Sequence, residues 1–167
     1  RPLAPIPPRN LDRAVPPGKG RDVSKVATRV LAASSESLAE AARVLRAGGL
    51  VAFPTETVYG LGADAANADA IARLYAAKGR PAFNPLIAHV CDVAAARRLA
   101  QFDAAAEALA AAFWPGPLTM VLPQQADCAV ASLATAGLDT VALRVPQNDV
   151  AQGILRTFGG AVVAPSA

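Results

Sequence analysis

The chain has 167 residues, 53% of them hydrophobic but only 5% aromatic, and a formal net charge of +3. That length suits one domain with a real hydrophobic core, and no apolar stretch approaches the roughly 20 residues that a membrane span requires. Cys91 and Cys128 stand far apart without a C-x-x-C pair or a histidine cluster, which speaks against structural zinc and for reduced thiols in a cytosolic protein.

The positive charge sits at one end. Residues 1–26 carry six basic side chains (Arg1, Arg9, Arg13, Lys19, Arg21 and Lys25) against Asp12 and Asp22, whereas the remainder has ten basic and eleven acidic residues. A basic tail can touch nucleic acid electrostatically or simply be solvated. Its six prolines argue against a secretory or transit helix and predict a disordered or extended tail over 1–26. Residues 27–167 then form the folded domain. The first residue is not methionine and the last follows a strand-like run, so the sequence reads as a fragment, truncated at the C-terminal end of its domain.

Residues 26–32 have the character of a first edge strand. Ser37 followed by Glu40 predicts a capping box opening a helix, which Gly48 and Gly49 close. Residues 50–53 form a short buried strand ended by Pro54. The stretch P-T-E-T-V-Y-G-L-G, residues 54–62, is too polar and too breakable to continue a strand and is expected to be a loop facing a ligand. Asn67 or Asp69 caps a helix to about Lys78, and residues 86–90 are the next strand. Asp92 and Asp103 each cap an alanine-rich helix, the second ending near Trp114. The run from Trp114 to Thr119 reads as a rigid turn with an aromatic plug. Residues 118–122 are a strand, 124–139 are irregular with a turn at Gly137, and 140–145 are a strand ended by Pro146. Asn148 or Asp149 caps a helix to Phe158, which Gly159 and Gly160 close. Residues 161–164 are a last strand ended by Pro165.

This alternation predicts an α/β fold with a mixed sheet. Pro54, Pro146 and Pro165 end strands with Thr55, Thr57, Arg144 and Ser166 beside them. Ligands of open α/β sheets collect where strands end, so one shared pocket is expected. Lys78 and Arg80 flank Gly79 and suit phosphate oxygens, or else complement the dipole of a helix C-terminus. His89 is the lone histidine, on one strand face with Ile87, and is read as a satisfied core residue sooner than as a catalyst. Thr140, Ala142 and Arg144 share a face along which an extended ligand fits, with Arg144 anchoring an anion. The alternative is an edge strand with a solvated arginine. Glu56 has no assigned role. No classical phosphate loop is present, Gly60–Leu61–Gly62 is too short for a dinucleotide fingerprint, and no catalytic triad or histidine-rich metal site stands out.

Taken together, P-T-E-T-V-Y-G-L-G (54–62), K-G-R-P (78–81), N-P-L-I-A-H-V (84–90), W-P-G-P-L-T (114–119), G-L-D-T-V-A-L-R-V-P (137–146) and A-P-S-A (164–167) resemble the YrdC-like family in content and order, over about residues 34–167. The resemblance implies a YrdC-like twisted mixed sheet flanked by helices with a large concave cavity. It implies a cytoplasmic enzyme that makes threonylcarbamoyl-AMP and pyrophosphate from ATP, L-threonine and bicarbonate or CO2, with Mg2+ accompanying ATP. Partner proteins then pass the group to tRNA. Carried over by position, Thr57, His89, Arg144 and the backbone of Ala164 hold L-threonine. Arg80, Asn84, Thr140 and Ser166 hold ATP, and Lys78 with Arg80 supplies catalytic charge stabilisation. No residue is assigned to a metal. Two other readings stay open: a carbamoyltransferase module using carbamoyl phosphate, and a non-catalytic RNA-binding module.

Overall fold

The computed structural model describes residues 28–79, 81 and 84–167. The basic tail over 1–26 and Arg80 lie outside the described residues. Residues 28–32 of the expected first strand form no strand. Val30 is 93% exposed, and strand propensity without a partner or a buried face does not make a strand.

Helix α1 (Ser35–Arg46) opens one turn before the position expected. Ser34 is the cap: its hydroxyl accepts the Ser37 N–H at 3.2 Å, and the Ser37 hydroxyl accepts the Ser34 N–H at 2.8 Å. A serine thus fills the place that glutamate usually takes in such a box, while Glu40 pairs with Arg43 on the surface at 2.7 Å. Gly48, at φ +74°, follows the last turn, where its N–H and that of Gly49 satisfy the carbonyls of Leu45 and Val44.

The stretch after Pro54 departs most from expectation. Strand β1 (Val51–Pro54) turns over residues 55–58 into β2 (Tyr59–Asp64), and the two pair antiparallel with Val51 opposite Gly62 and Phe53 opposite Gly60. The glycines expected in a loop are strand residues. Gly62 is required there because a Cβ would stand 2.7 Å from the Phe53 ring and 2.9 Å from Val162 Cγ1. The signal that resembled a break is a close approach of two neighbours to the sheet.

Helix α2 (Ala68–Lys78) is capped by Asn67, whose side chain accepts the Ala70 N–H at 3.0 Å. Strand β3 (Ile87–His89) leads into α3 (Val93–Arg97) and α4 (Ala104–Phe113), capped by Asp92 and Asp103 as the sequence predicts. Strand β4 (Met120–Pro123) follows, then a short helix α5 (Ser132–Thr135) inside the segment expected to be irregular. Strand β5 (Thr140–Arg144), helix α6 (Asp149–Phe158) capped by Asn148, and strand β6 (Val162–Val163) complete the chain.

Among the described residues six strands form one mixed sheet in the order β1-β2-β6-β3-β5-β4, with β3 and β5 parallel and the remaining pairs antiparallel. One face packs on α1 and α6 through Leu45, Phe53, Ile154, Leu155 and Val162. The other packs on the remaining helices through Ile71, Leu74, Tyr75, Trp114, Leu143 and Val163. Full burial of such a side chain contributes about 1.5–3 kcal/mol. His89 lies opposite Arg144 on one side and Val162 on the other. Directly paired residues share a sheet face, so both polar side chains lie on the α1–α6 face.

Candidate functional site

The turn of the first hairpin is built by Thr55. Its hydroxyl donates to the Val58 carbonyl at 2.7 Å and accepts the N–H groups of Thr57 and Val58. The Thr57 hydroxyl lies 3.1 Å from that of Thr55, and both Glu56 and Thr57 also meet a residue outside the turn. Arg144, at the end of β5, meets both: its Nη2 donates to Glu56 Oε1 at 2.7 Å and to Thr57 Oγ1 at 3.2 Å. The second Glu56 oxygen accepts the Gln147 N–H at 3.1 Å.

Arg144 is only 8% exposed and lies on an interior strand, which rules out the solvated edge arginine. Taking a guanidinium from water is costly unless it is paired, and Glu56 provides the pairing. Burial works against the Glu56 charge, but the hydrogen bond from Arg144, together with its positive charge and the Gln147 amide, holds the carboxyl below its usual range.

His89 is 3% exposed and meets the Phe53 ring edge-on, with ring centroids 6.4 Å apart. Burial pushes its pKa down to about 4, and the positive charge of Arg144 adds to that. The carbonyls of Ile87 and Val162 pull the other way without prevailing. The imidazole is therefore neutral near pH 7, and among the described residues its Nδ1 has no hydrogen-bond partner.

These groups line a cavity of about 280 Å³. Thr55, Thr57 and Val58 come from the hairpin turn, Gly60 from β2, Pro85, Leu86, Ile87 and His89 from the approach to β3 and the strand itself, Arg144 from β5, and Ala164 to Ser166 from the exit of β6. The last wall is tied in by backbone bonds, Leu61 N–H to Pro165 O at 2.9 Å and Ala167 N–H to Tyr59 O at 2.8 Å. A Cβ at Gly60 would stand 3.0 Å from Ala164 Cβ, so this glycine lets the two walls meet. The strand exits at Pro54, Pro146 and Pro165 thus converge, although the cavity runs along the sheet face from Pro85 to His89 and is not confined to strand ends.

Of the residues expected from sequence, Thr57, His89, Arg144, Ala164 and Ser166 line this cavity. Lys78, Asn84 and Thr140 do not. Lys78 is exposed at the end of α2, and Asn84 shows backbone bonds, accepting from the Tyr75 hydroxyl at 2.8 Å. Thr140 opens β5 opposite Pro123, on the Arg144 face but at the far end of the strand. Glu56 and Gln147 are the residues that sequence reasoning left without a role. The signal for Glu56 was an acid in a polar turn and a lone arginine on a strand, each needing a partner.

Chemically, the described residues lining the cavity offer one fixed cation, hydroxyls, a neutral imidazole and apolar walls. They suit a small anionic molecule held against a dry surface, where a charge counts for more than in water. Among the described lining residues, no serine or threonine hydroxyl is hydrogen-bonded to His89. Among the described residues no group of three or more His, Cys, Asp or Glu side chains could hold a metal ion, and the Glu56 oxygens are already engaged. A second cavity, of about 500 Å³, lies against Cys91, Trp114, Gln152 and Arg156, and none of the expected residues that are described lines it.

Residues 43–167 match the family model Sua5_yciO_yrdC, described as telomere recombination. The chain is 46% identical to a threonylcarbamoyl-AMP synthase of Bacillus subtilis over 141 residues, 84% of this chain and 40% of that protein. It is 49% identical to one of Pyrococcus abyssi over 128 residues, 76% of this chain and 37% of that protein. Among solved structures it resembles P. abyssi Sua5 complexed with L-threonine, with a TM-score of 0.77 and 45% identity, covering 81% of this chain and 40% of that one. The chain therefore spans about two-fifths of the length of these relatives. By both sequence and fold, the chain belongs to the Sua5/YciO/YrdC family.

Proposed function

We propose that this chain is the substrate-binding and catalytic part of a threonylcarbamoyl-AMP synthase, joining ATP, L-threonine and bicarbonate or CO2 into threonylcarbamoyl-AMP and pyrophosphate. The observation that supports it best is the nine-tenths buried Arg144, held beside Thr57 and neutral His89 in a cavity of amino-acid size. A relative 45% identical carries L-threonine in its solved structure.

In this reading Arg144 takes the threonine carboxylate, and Thr57, His89 and the Ala164 backbone fix its remainder. His89 brings no second positive charge, so the carboxylate has one anchor. The threonine nitrogen bonds to CO2 and loses a proton, giving a carbamate. A carbamate oxygen then bonds to the α-phosphorus of ATP, the bond to the bridging oxygen of the β-phosphate breaks, and pyrophosphate leaves. The protein contributes orientation and charge stabilisation, so the missing catalytic triad is no objection. Ser166 marks the nucleotide side of the cavity. Lys78, Arg80, Asn84 and Thr140 receive the rest of ATP, with Lys78 and Arg80 countering charge on its phosphates. The described residues do not fit a resident metal, so Mg2+ is assigned to the nucleotide phosphates, its common mode. The product serves threonylcarbamoyladenosine formation beside the tRNA anticodon, through transfer proteins. The free thiols of Cys91 and Cys128 favour the cytoplasm, and no helix among the described residues is long and apolar enough to cross a membrane.

The test is pyrophosphate release by the full-length protein from ATP, L-threonine and bicarbonate, omitting each in turn. Dependence on all three is expected. Turnover indifferent to threonine refutes the proposal, dependence on carbamoyl phosphate supports a carbamoyltransferase, and tight RNA binding without turnover supports a binding module.

A further inference from the structure

Glu56 stands at the junction of two segments, its own turn and the exit of β5. One carboxylate oxygen holds Arg144 and the other holds the backbone of Gln147. In the sheet, β6 and β3 separate the hairpin of β1 and β2 from β5, so no backbone ladder joins the 55–58 turn to the exit of β5. The Glu56 bridge joins them beside the cavity that Thr57 and Arg144 line. Glu56 is not itself among the lining residues, so whatever it does for a ligand passes through Arg144.

Arg144 also shows what that service is. Its hydrogen bonds to Glu56 and Thr57 both use Nη2, while Nε is buried and without a partner among the described residues. A guanidinium is a planar fork whose donors point in fixed directions. Fixing it through one nitrogen aims the rest, and a flexible side chain that is already aimed loses less freedom when an anion arrives. A carboxylate is the smallest group that can hold a guanidinium and a backbone amide with separate oxygens.

We propose that Glu56 is a positioning residue: it holds the Arg144 guanidinium in the orientation that receives a substrate carboxylate, and fastens the 55–58 turn over the cavity through Gln147. The proposal rests on the reading of this cavity as the threonine site. Glu56 touches neither substrate. Its carboxylate stays ionised and bound to Arg144 while the ligand comes and goes.

The test combines two measurements on the full-length protein. The first is calorimetric binding of L-threonine and of ATP to wild type, E56Q, E56A, R144A and the E56A/R144A double variant. E56A is expected to weaken L-threonine about tenfold or more and ATP by less than about twofold. E56Q preserves shape and an acceptor for Gln147 but loses the charge, so it falls between. L-threoninamide, which lacks the carboxylate, binds weakly and equally to wild type and E56A. Because the two residues act as a unit, the double variant is expected to be no weaker than R144A. Equal losses for L-threonine and ATP, or additive effects in the double variant, overturn the positioning role. Should E56A not fold, E56Q carries the comparison. The second measurement needs no ligand: the Arg144 Nε–H resonance in a nitrogen-labelled sample exchanges slowly in wild type and is lost to exchange in E56A. An Nε–H unchanged by E56A overturns the proposal even if wild type binds no threonine, an outcome that by itself refutes only the reading of the cavity.

Discussion

His89 makes stability depend on pH in a way that can be isolated. In the unfolded chain it titrates near 6.5, whereas in the fold burial and then Arg144 bring it down to about 4. Between those values the unfolded chain binds a proton that the folded one refuses. Stability is therefore complete above about pH 6.5 and is lost as pH falls towards about 4. At about 1.4 kcal/mol for each tenfold difference in proton affinity, the loss contributed by this residue is about 3 kcal/mol. The perturbation is His89→Leu, close in volume and unable to titrate. Urea unfolding of both proteins at pH about 7.5 and about 4 subtracts the carboxylates common to the two. Wild type should lose about 3 kcal/mol more than the variant over that range. Equal losses would refute the account of a histidine held neutral by its surroundings. Because the Arg144 charge is the second cause, the His89 titration followed by proton NMR should move upward in Arg144→Ala.

Further predictions concern the pair and the frame around it. Arg144→Ala should raise the threonine concentration for half-saturation more than that for ATP, and should cost about 3 kcal/mol in urea unfolding because Glu56 is left unpaired. Adding Glu56→Gln should recover part of that stability without restoring threonine binding. Gly62→Ala drives a Cβ to 2.7 Å from Phe53 and 2.9 Å from Val162, so its thermal midpoint should fall by the equivalent of about 1–3 kcal/mol. Asp103→Ala removes the acceptor for the Ala106 N–H at 2.8 Å. It should cost about 1 kcal/mol in the same melts and leave threonine binding unchanged, since neither Asp103 nor any α4 residue lines the cavity.

What the sequence revealed were the features decided locally. Asp92 and Asp103 were legible as helix caps, and Asn67 and Asn148 as one of two candidates each, because an N-cap needs only its own side chain and an N–H two or three residues on. Pro54 and Pro146 were legible as strand ends because proline restricts itself and the residue before it. The glycines of 54–62 were misread because the reason for them is remote: Gly62 makes room for Phe53 and Val162, and Gly60 for Ala164. In one dimension a glycine that breaks a strand and one that lets two walls touch look the same. Ser34 was overlooked as the cap of α1 because the expected box required an acid at its third position and the chain uses Ser37.

The site itself was half legible for a reason visible in the topology. The last strand, β6, lies between β2 and β3, so the end of the described chain comes to the middle of the sheet and brings Ala164 and Ser166 to the hairpin turn. Strand exits marked by proline can be paired by eye, and that gave Thr57, Arg144 and Ser166 as neighbours. The sequence could not say that the cavity runs along the β3 face between them, because that depends on which side of β3 bears His89 and on its being opposite Arg144. Nor could it distinguish an arginine that awaits a ligand from one already held by a partner. Here Arg144 is held by Glu56 and still has Nε without a partner among the described residues. A cation paired in this way can be kept buried and aimed before its substrate arrives, which an unpaired one could not.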